Sequence, residues 1–129
     1  MVLKKRNEVM ILLLMLFLFL PISVISGNKY TKHKEIDFGM LSKNKKQVVA
    51  VFCIQNSNKF PIYINEANTR CGCTTVKYKK HPIFPNEKRN IYVTVNTIYL
   101  RGVFEQGVLL RLSDKTNIIL KIKGCKKFK

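Results

Sequence analysis

Residues 90–95 read NIYVTV, and their side chains alternate in character with a period of two. Ile91, Val93 and Val95 share one parity, whereas Tyr92 and Thr94 share the other. Successive side chains of a β-strand point to opposite faces of the sheet. The alternation therefore predicts a strand with one face in an apolar core and the other face towards solvent.

Six further runs of the chain have the composition of strands. They are EIDFG (35–39), QVVAVFCIQ (47–55), FPIYINEA (60–67), TTVKYK (74–79), GVLLRL (107–112) and NIILKIKG (117–124). Turn-forming stretches rich in Asn, Asp, Pro and Lys separate them. The run 47–55 is apolar on both parities, so we expect both of its faces to be covered. Short strands with no helical period between them predict an all-β, immunoglobulin-like antiparallel sandwich of about seven strands over residues 36–129.

The first 26 residues have a different character. MVLKKRNE is basic, residues 9–20 are wholly apolar, and Pro21 and the small-residue stretch SVISG (23–27) follow. This order is typical of a secretory signal helix, and Val24 and Ser26 suit the positions before a cut, so we predict cleavage after Ser26. The alternative is a membrane anchor over residues 9–26, which is just long enough to span a bilayer. Residues 27–35 would then be a linker to the domain, and the protein would be periplasmic or extracellular.

The chain is strongly basic, with 24 Lys and Arg against 7 Asp and Glu and a formal charge of +17. Such a charge favours polyanions. The lysines are nevertheless scattered, as on the solvent faces of strands, and no nucleic-acid-binding module is visible, so specific nucleic-acid binding is not expected. The sequence also lacks a G-x-S-x-G elbow and a phosphate-binding loop, so no catalytic motif indicates an enzyme.

Several short motifs occur in an order that resembles a known family. They are DFG (37–39), FCIQNSN (52–58), CGCT (71–74), PIFPNEK (82–88) and VTVNTIYLRGVF (93–104). Together they resemble the bacterial exported family called domain of unknown function 1573, over about residues 36–124. The resemblance implies an immunoglobulin-like sandwich of the PapD-like and Hydin type, and export, but no established activity. The family usually has glycine where this chain has Ser57–Asn58 and Asn86; asparagine also tolerates positive φ angles.

The stretch TRCGCTTVKY, residues 69–78, contains two of the four cysteines. If this stretch is extended, Val76 and Tyr78 point to the core, and Cys71 and Cys73 point to the other face. We therefore expect the two sulfur atoms near the solvent-exposed rim. Alpha carbons two apart in a strand are separated by about 6.6–6.8 Å. This is the upper limit for a disulfide, so a direct bond requires the chain to fold inward at Gly72.

Three hypotheses for these cysteines stay open. In the structural hypothesis, which we favour, they form disulfides with Cys53 or Cys125 or pack as reduced thiols. In the redox hypothesis, a bond between Cys71 and Cys73 exchanges with other thiols, and basic neighbours favour the thiolate. In the metal hypothesis, the pair holds Cu(I) or zinc with a further ligand such as His81, although one intervening residue is fewer than in typical zinc sites.

Taken together, the sequence predicts a non-catalytic interaction or structural module of the cell envelope that uses no cofactor. Its partner would be another envelope protein, and it would contact membrane only through an uncleaved N-terminal segment. Thiol-redox or metal chemistry at the Cys-Gly-Cys motif is the first alternative, and polyanion binding through positive charge is the second. The candidate interaction surface combines the loop at 67–74 with the turn at 80–89, and its named residues are Arg70, Gly72, Phe84, Pro85 and Asn86.

Overall fold

The computed structural model describes residues 2–18 and 30–128. An N-terminal helix, α1, spans Val2–Leu18, and seven strands follow: β1 Glu35–Leu41, β2 Gln47–Gln55, β3 Ile64–Thr69, β4 Thr74–Lys77, β5 Lys88–Asn96, β6 Gly102–Leu112 and β7 Asn117–Lys126. Among the residues described, no helix combines the length and the apolar character needed to cross a membrane. The predicted cleavage site after Ser26 lies outside the described residues, so export stays a prediction.

The seven strands form two sheets, which confirms the predicted sandwich in its main outline. The larger sheet has the order β1-β7-β6-β3, and the smaller sheet has the order β2-β5-β4. The prediction of a wholly antiparallel sandwich is wrong at one place, because β1 pairs with β7 in parallel. The segment before β1 begins near Asp114, at the end of the sandwich where β7 also begins, so β1 runs in the same direction as β7. No short-range sequence signal indicates this pairing.

The predicted alternation places the core between the two sheets. In β5, Ile91, Val93 and Val95 are buried, and the exposed fraction of Tyr92 is 44%. The same parity rule holds in β6 and β7, where the buried aliphatic residues are Val108, Leu110, Leu112, Ile118, Leu120 and Ile122. Burying one such side chain contributes about 1.5–3 kcal/mol, so the two inner faces supply the main stabilisation of the domain.

The expectation that β2 is covered on both faces is wrong. Phe52 and Ile54 are buried on the inner face, but the exposed fractions of Val49 and Val51 on the outer face are 45% and 47%. No other described helix or strand therefore packs over the centre of this face. Its apolar side chains therefore meet solvent.

The segment before β1 is part of the packed domain. Tyr30 and Thr31, inside the predicted linker, are 4% and 5% exposed. The carbonyl oxygen of Tyr30 accepts a hydrogen bond of 2.8 Å from the backbone N–H of Gln55. The chain thus touches the end of β2 in the smaller sheet before it continues as β1 in the larger one.

Strand directions sort the loops into two groups. The connections at residues 42–46, 70–73 and 97–101 lie at one end of the sandwich together with residues 127–128, and we call this the CGC end. Residues 56–63, 78–87 and 113–116 lie at the opposite end. The two ends are roughly 27 Å apart along the nine residues of β5.

Replacing one isoleucine on each side of β7 tests this arrangement. Ile122 is fully buried, whereas Ile119 is 55% exposed. We expect Ile122→Ala to lower the free energy of unfolding by about 2–5 kcal/mol, because it leaves a cavity. Ile119→Ala is the matched control and should stay within about 0.5 kcal/mol of the parent. Urea unfolding of both variants measures the difference, and equal losses would contradict the assigned inner face.

Candidate functional site

The Cys-Gly-Cys motif forms the tight connection between β3 and β4. The backbone N–H of Thr74 donates to the carbonyl oxygen of Cys71 at 3.1 Å, which closes a turn. Cys71 and Cys73 are bonded to each other, and their alpha carbons are 5.1 Å apart. This separation is shorter than in a strand, so the chain does fold inward at Gly72. Gly72 has no left-handed φ, and an added Cβ would meet nothing within 4 Å, so neither space nor conformation demands glycine there.

Both cysteines are half-buried at the rim of the sandwich, as predicted, but they lie in a turn and not in the extended strand on which that prediction was based. The backbone N–H of Cys73 lies 3.1 Å from the Sγ of Cys71. The carbonyl oxygen of Cys73 accepts a hydrogen bond of 2.7 Å from the backbone N–H of Asn96. This bond continues the β4–β5 ladder, so the sheet holds the motif in place.

The other two cysteines are free. Cys53 is exposed on the outer face of β2, opposite Asn90 of β5. Cys125 is half-buried in β7, opposite Val103 of β6. The structure therefore has neither of the long-range disulfides that the structural hypothesis offered. The bond that does exist closes a very short loop, and the entropy argument assigns such loops the least stabilisation.

The structure places His81 at the opposite end from the two bonded cysteines. Its Nδ1 lies 3.2 Å from a guanidinium nitrogen of Arg89. Within residues 2–18 and 30–128, no group of three or more Cys, His, Asp or Glu residues is placed to hold a metal ion. The three candidate ligands of the metal hypothesis are therefore not brought together.

Arg89 organises the opposite end, and the sequence analysis missed it. This side chain is only 4% exposed and lies on the inner parity of β5. Its guanidinium donates to the carbonyl oxygens of Lys79 at 2.6 Å, His81 at 2.9 Å and Pro82 at 3.1 Å. It also pairs with the carboxylate of Glu87 at 2.9 Å. A buried cation is tolerated when its donors are satisfied in this way. The signal was available: an arginine at a core-parity position beside a proline-rich turn.

The turn that Arg89 holds contains the predicted surface residues Phe84, Pro85 and Asn86, which are all exposed. The φ of Asn86 is 64°, so the asparagine adopts the left-handed conformation predicted for it. Glu87 accepts a hydrogen bond of 2.9 Å from the backbone N–H of Phe84. Hydrogen bonds to Glu87 and Arg89 therefore hold this turn on both sides.

The turn and the Cys-Gly-Cys loop do not form one surface. Arg70 and Gly72 are exposed at the CGC end, where β4 begins. Phe84 to Asn86 precede β5 at the opposite end. The proposed combination of the two loops into a single binding surface therefore has no counterpart in the structure.

Thr97 closes the CGC end much as Arg89 closes the other. It is fully buried, and its Oγ1 and backbone N–H donate to the carbonyl oxygens of Lys45 and Lys46. Its own carbonyl oxygen accepts a hydrogen bond from the Nζ of Lys126, a lysine that is 2% exposed. One threonine thus joins the β1–β2 turn to the end of β7.

The outer faces of the two sheets differ in charge. On the larger sheet, Lys123 pairs with Glu35 at 2.9 Å and with Glu105 at 3.7 Å, and Lys121 pairs with Glu105 at 3.4 Å. The outer face of the smaller sheet has no carboxylate among the described residues. Its centre carries Val49, Val51, Cys53 and Tyr92, and we call these four residues the small-sheet face.

The comparisons with known proteins agree with this fold. Residues 30–125 match the family described as "Protein of unknown function (DUF1573)". The chain belongs to this family. No curated protein matches it in sequence.

Solved structures with a similar fold come from diverse proteins. A protein of unknown function from Porphyromonas gingivalis W83 has a TM-score of 0.64 at 16% identity, over 72% of this chain and 44% of that one. The PapD-like domain 7 of human CEP192 has a TM-score of 0.60 at 9% identity, over 81% and 92%. The Vibrio cholerae VesB protease has a TM-score of 0.60 at 11% identity, over 76% and 32%. The chain thus spans less than half of the bacterial proteins, and these likenesses show the fold alone.

The carboxylate of Glu87 makes the stability of the domain depend on pH. The hydrogen bond from Phe84, followed by that from Arg89, holds the pKa of Glu87 below its ordinary value of 4.5. The contribution of ionised Glu87 to the stability of the folded domain is therefore complete above about pH 4.5. It is lost as the pH falls through the lowered pKa of Glu87 in the folded state. We expect Glu87→Gln to be less stable than the parent near neutral pH and to approach it in acid. Urea unfolding at several pH values measures this convergence.

Glu66→Gln, at a half-exposed glutamate on the larger sheet, makes the same change in net charge and serves as the control. If both variants lose stability equally at every pH, the contacts of Glu87 are not the cause.

Proposed function

We propose that this protein is a non-catalytic interaction module of the cell envelope, and that it binds a protein partner through the small-sheet face. The observation that carries the proposal is the uncovered apolar centre of that face, with Val49, Val51 and Tyr92 each about half-exposed. Contiguous exposed apolar side chains with a polar rim are typical of protein interaction sites. The rim consists of lysines and amides, including Lys77, Lys88 and Asn90.

The membership of the family and the basic-then-apolar N-terminal sequence support export to the envelope. Immunoglobulin-like sandwiches bind partners through end loops or sheet edges. The fold by itself transfers no activity. The bonded pair Cys71–Cys73, Cys53, Cys125 and His81 lie on different elements, which favours binding over catalysis.

Site-specific photocrosslinking in the cells that make the protein tests this proposal. A photoreactive side chain at Val49 should give a discrete crosslinked product, whereas one at Ile119 on the larger sheet should give none. Tyr92→Lys should abolish the product from position 49, because it places a charge in the apolar centre. The same product from both positions, or an unaltered product in the Tyr92→Lys background, would count against the small-sheet face.

Thiol–disulfide exchange is a second candidate, favoured by the half-exposed bond between Cys71 and Cys73 beside Arg70. The bond closes so short a loop that stability alone explains it poorly. The double variant Cys71→Ser/Cys73→Ser separates the two candidates. If the protein is an interaction module without redox activity, the parent with Cys71 and Cys73 reduced should reduce insulin no faster than the variant does. A clear excess for the parent would establish the redox candidate, and Cys53→Ser is the control for the remaining exposed thiol.

A further inference from the structure

The four edge strands of the sandwich differ in how they resist pairing with another chain. β1 has a register break between Asp37 and Met40. β3 has a register shift next to Glu66. β4 has only four residues and ends at Lys77. Breaks, charges and short length are the devices by which natural sheets protect their edges.

β2 has none of these devices. Its nine residues, QVVAVFCIQ, include no charge, proline or glycine. It pairs with β5 at nine consecutive positions without a register shift. A long, regular and uncharged edge strand offers a template for a further strand.

The outward direction of the β2 backbone follows from one hydrogen bond. The N–H of Gln55 donates to Tyr30, on the side away from β5. In a strand, alternate residues direct their N–H and C=O to the same side. The backbone groups of Val49, Val51 and Cys53 therefore also point away from β5, and among the described residues β2 pairs with β5 alone.

Space for part of a further strand exists beside Val51 and Cys53. A groove of about 400 Å³ lies there between β2 and the segment that begins at Tyr30. The residues that line the groove include Val51, Cys53, Lys32, His33 and Lys88. None of the described lining residues is a carboxylate. An occupant with carboxylates would complement this groove.

We propose that the open edge of β2 accepts an extended, acidic segment of a partner protein as an additional strand. Val49, Val51 and Cys53 supply the backbone hydrogen bonds, and the valine side chains pack against alternate apolar residues of the partner. A second copy of this chain is a poor occupant, because each copy carries a formal charge of +17. This inference rests on the proposed function and specifies how the small-sheet face is used.

Hydrogen exchange on the full chain provides the first test. Without a ligand, the amides of Ala50, Phe52 and Ile54 should be protected by β5, whereas those at 49, 51 and 53 should exchange fast. An acidic peptide in which valine alternates with glutamate should slow exchange at 49, 51 and 53. Protection of these three amides before the peptide is added would mean that the chain covers its own edge, and it would overturn the proposal.

Two matched peptides test the chemistry of the occupant. A peptide with lysine in place of glutamate should bind about tenfold more weakly or worse. An acidic peptide N-methylated on the residues that face β2 cannot donate to the edge, and we expect it to lose binding. The proposal would be overturned if the lysine peptide or the N-methylated peptide bound as tightly as the unmodified acidic peptide. It would also be overturned if the acidic peptide did not bind.

Two variants of the protein separate this inference from the proposed function. The only backbone N–H that Val51→Pro removes faces outward, which edge strands tolerate. This variant should weaken binding of the acidic peptide about tenfold. Val51→Ala keeps the N–H and is its control for the lost side chain. Tyr92→Lys disturbs the face but leaves the edge backbone intact. If Tyr92→Lys abolishes the photocrosslink and Val51→Pro does not change peptide binding, the face binds a partner and strand addition is wrong. If neither has an effect, both proposals fail.

Discussion

Packing of two inner faces against each other is the constraint on which the rest of this structure depends. Over the middle of β2, β5, β6 and β7, every second side chain is a buried aliphatic or aromatic residue: 48–54 in β2, 91–95 in β5, 108–112 in β6 and 118–122 in β7. A shift of any strand by one residue would turn this whole set towards solvent. The strong specification of register fixes where each strand starts and ends, and hence where the loops, the cysteines and the edges lie.

At the ends of the sandwich, the backbone carbonyl groups of loops have no strand partners, so side chains must supply their hydrogen bonds. Arg89 satisfies carbonyl groups at one end and Thr97 joins two segments at the other. Both residues occupy inner-parity positions of β5 or its continuation, so the central strand of the smaller sheet anchors both ends. Buried polar groups of this kind are stabilising only when their hydrogen bonds are complete.

The outer faces of the two sheets differ in the side chains that they expose. Ion pairs such as Lys123–Glu35 and Arg111–Glu66 cover the larger sheet. Exposed pairs of this type add little stability, but they place carboxylates on the outer face of the larger sheet, beside exposed apolar side chains such as Ile119 and Val103. The smaller sheet has lysines at its rim and an apolar centre. The asymmetry, together with the unprotected β2 edge, directs our functional proposals to one side of the molecule.

The sequence by itself determined the strand pattern, the inner faces and the conformation of Asn86. These follow from local rules, namely a two-residue period and the backbone preferences of single residues. Only the tertiary structure decided the parallel pairing of β1, the Cys71–Cys73 bond, the distance between His81 and those cysteines, and the exposure of Val49 and Val51. The physical reason is that strand pairing, burial and distances between side chains depend on which strands become neighbours. A valine in the sequence is the same residue whether or not another element packs over it.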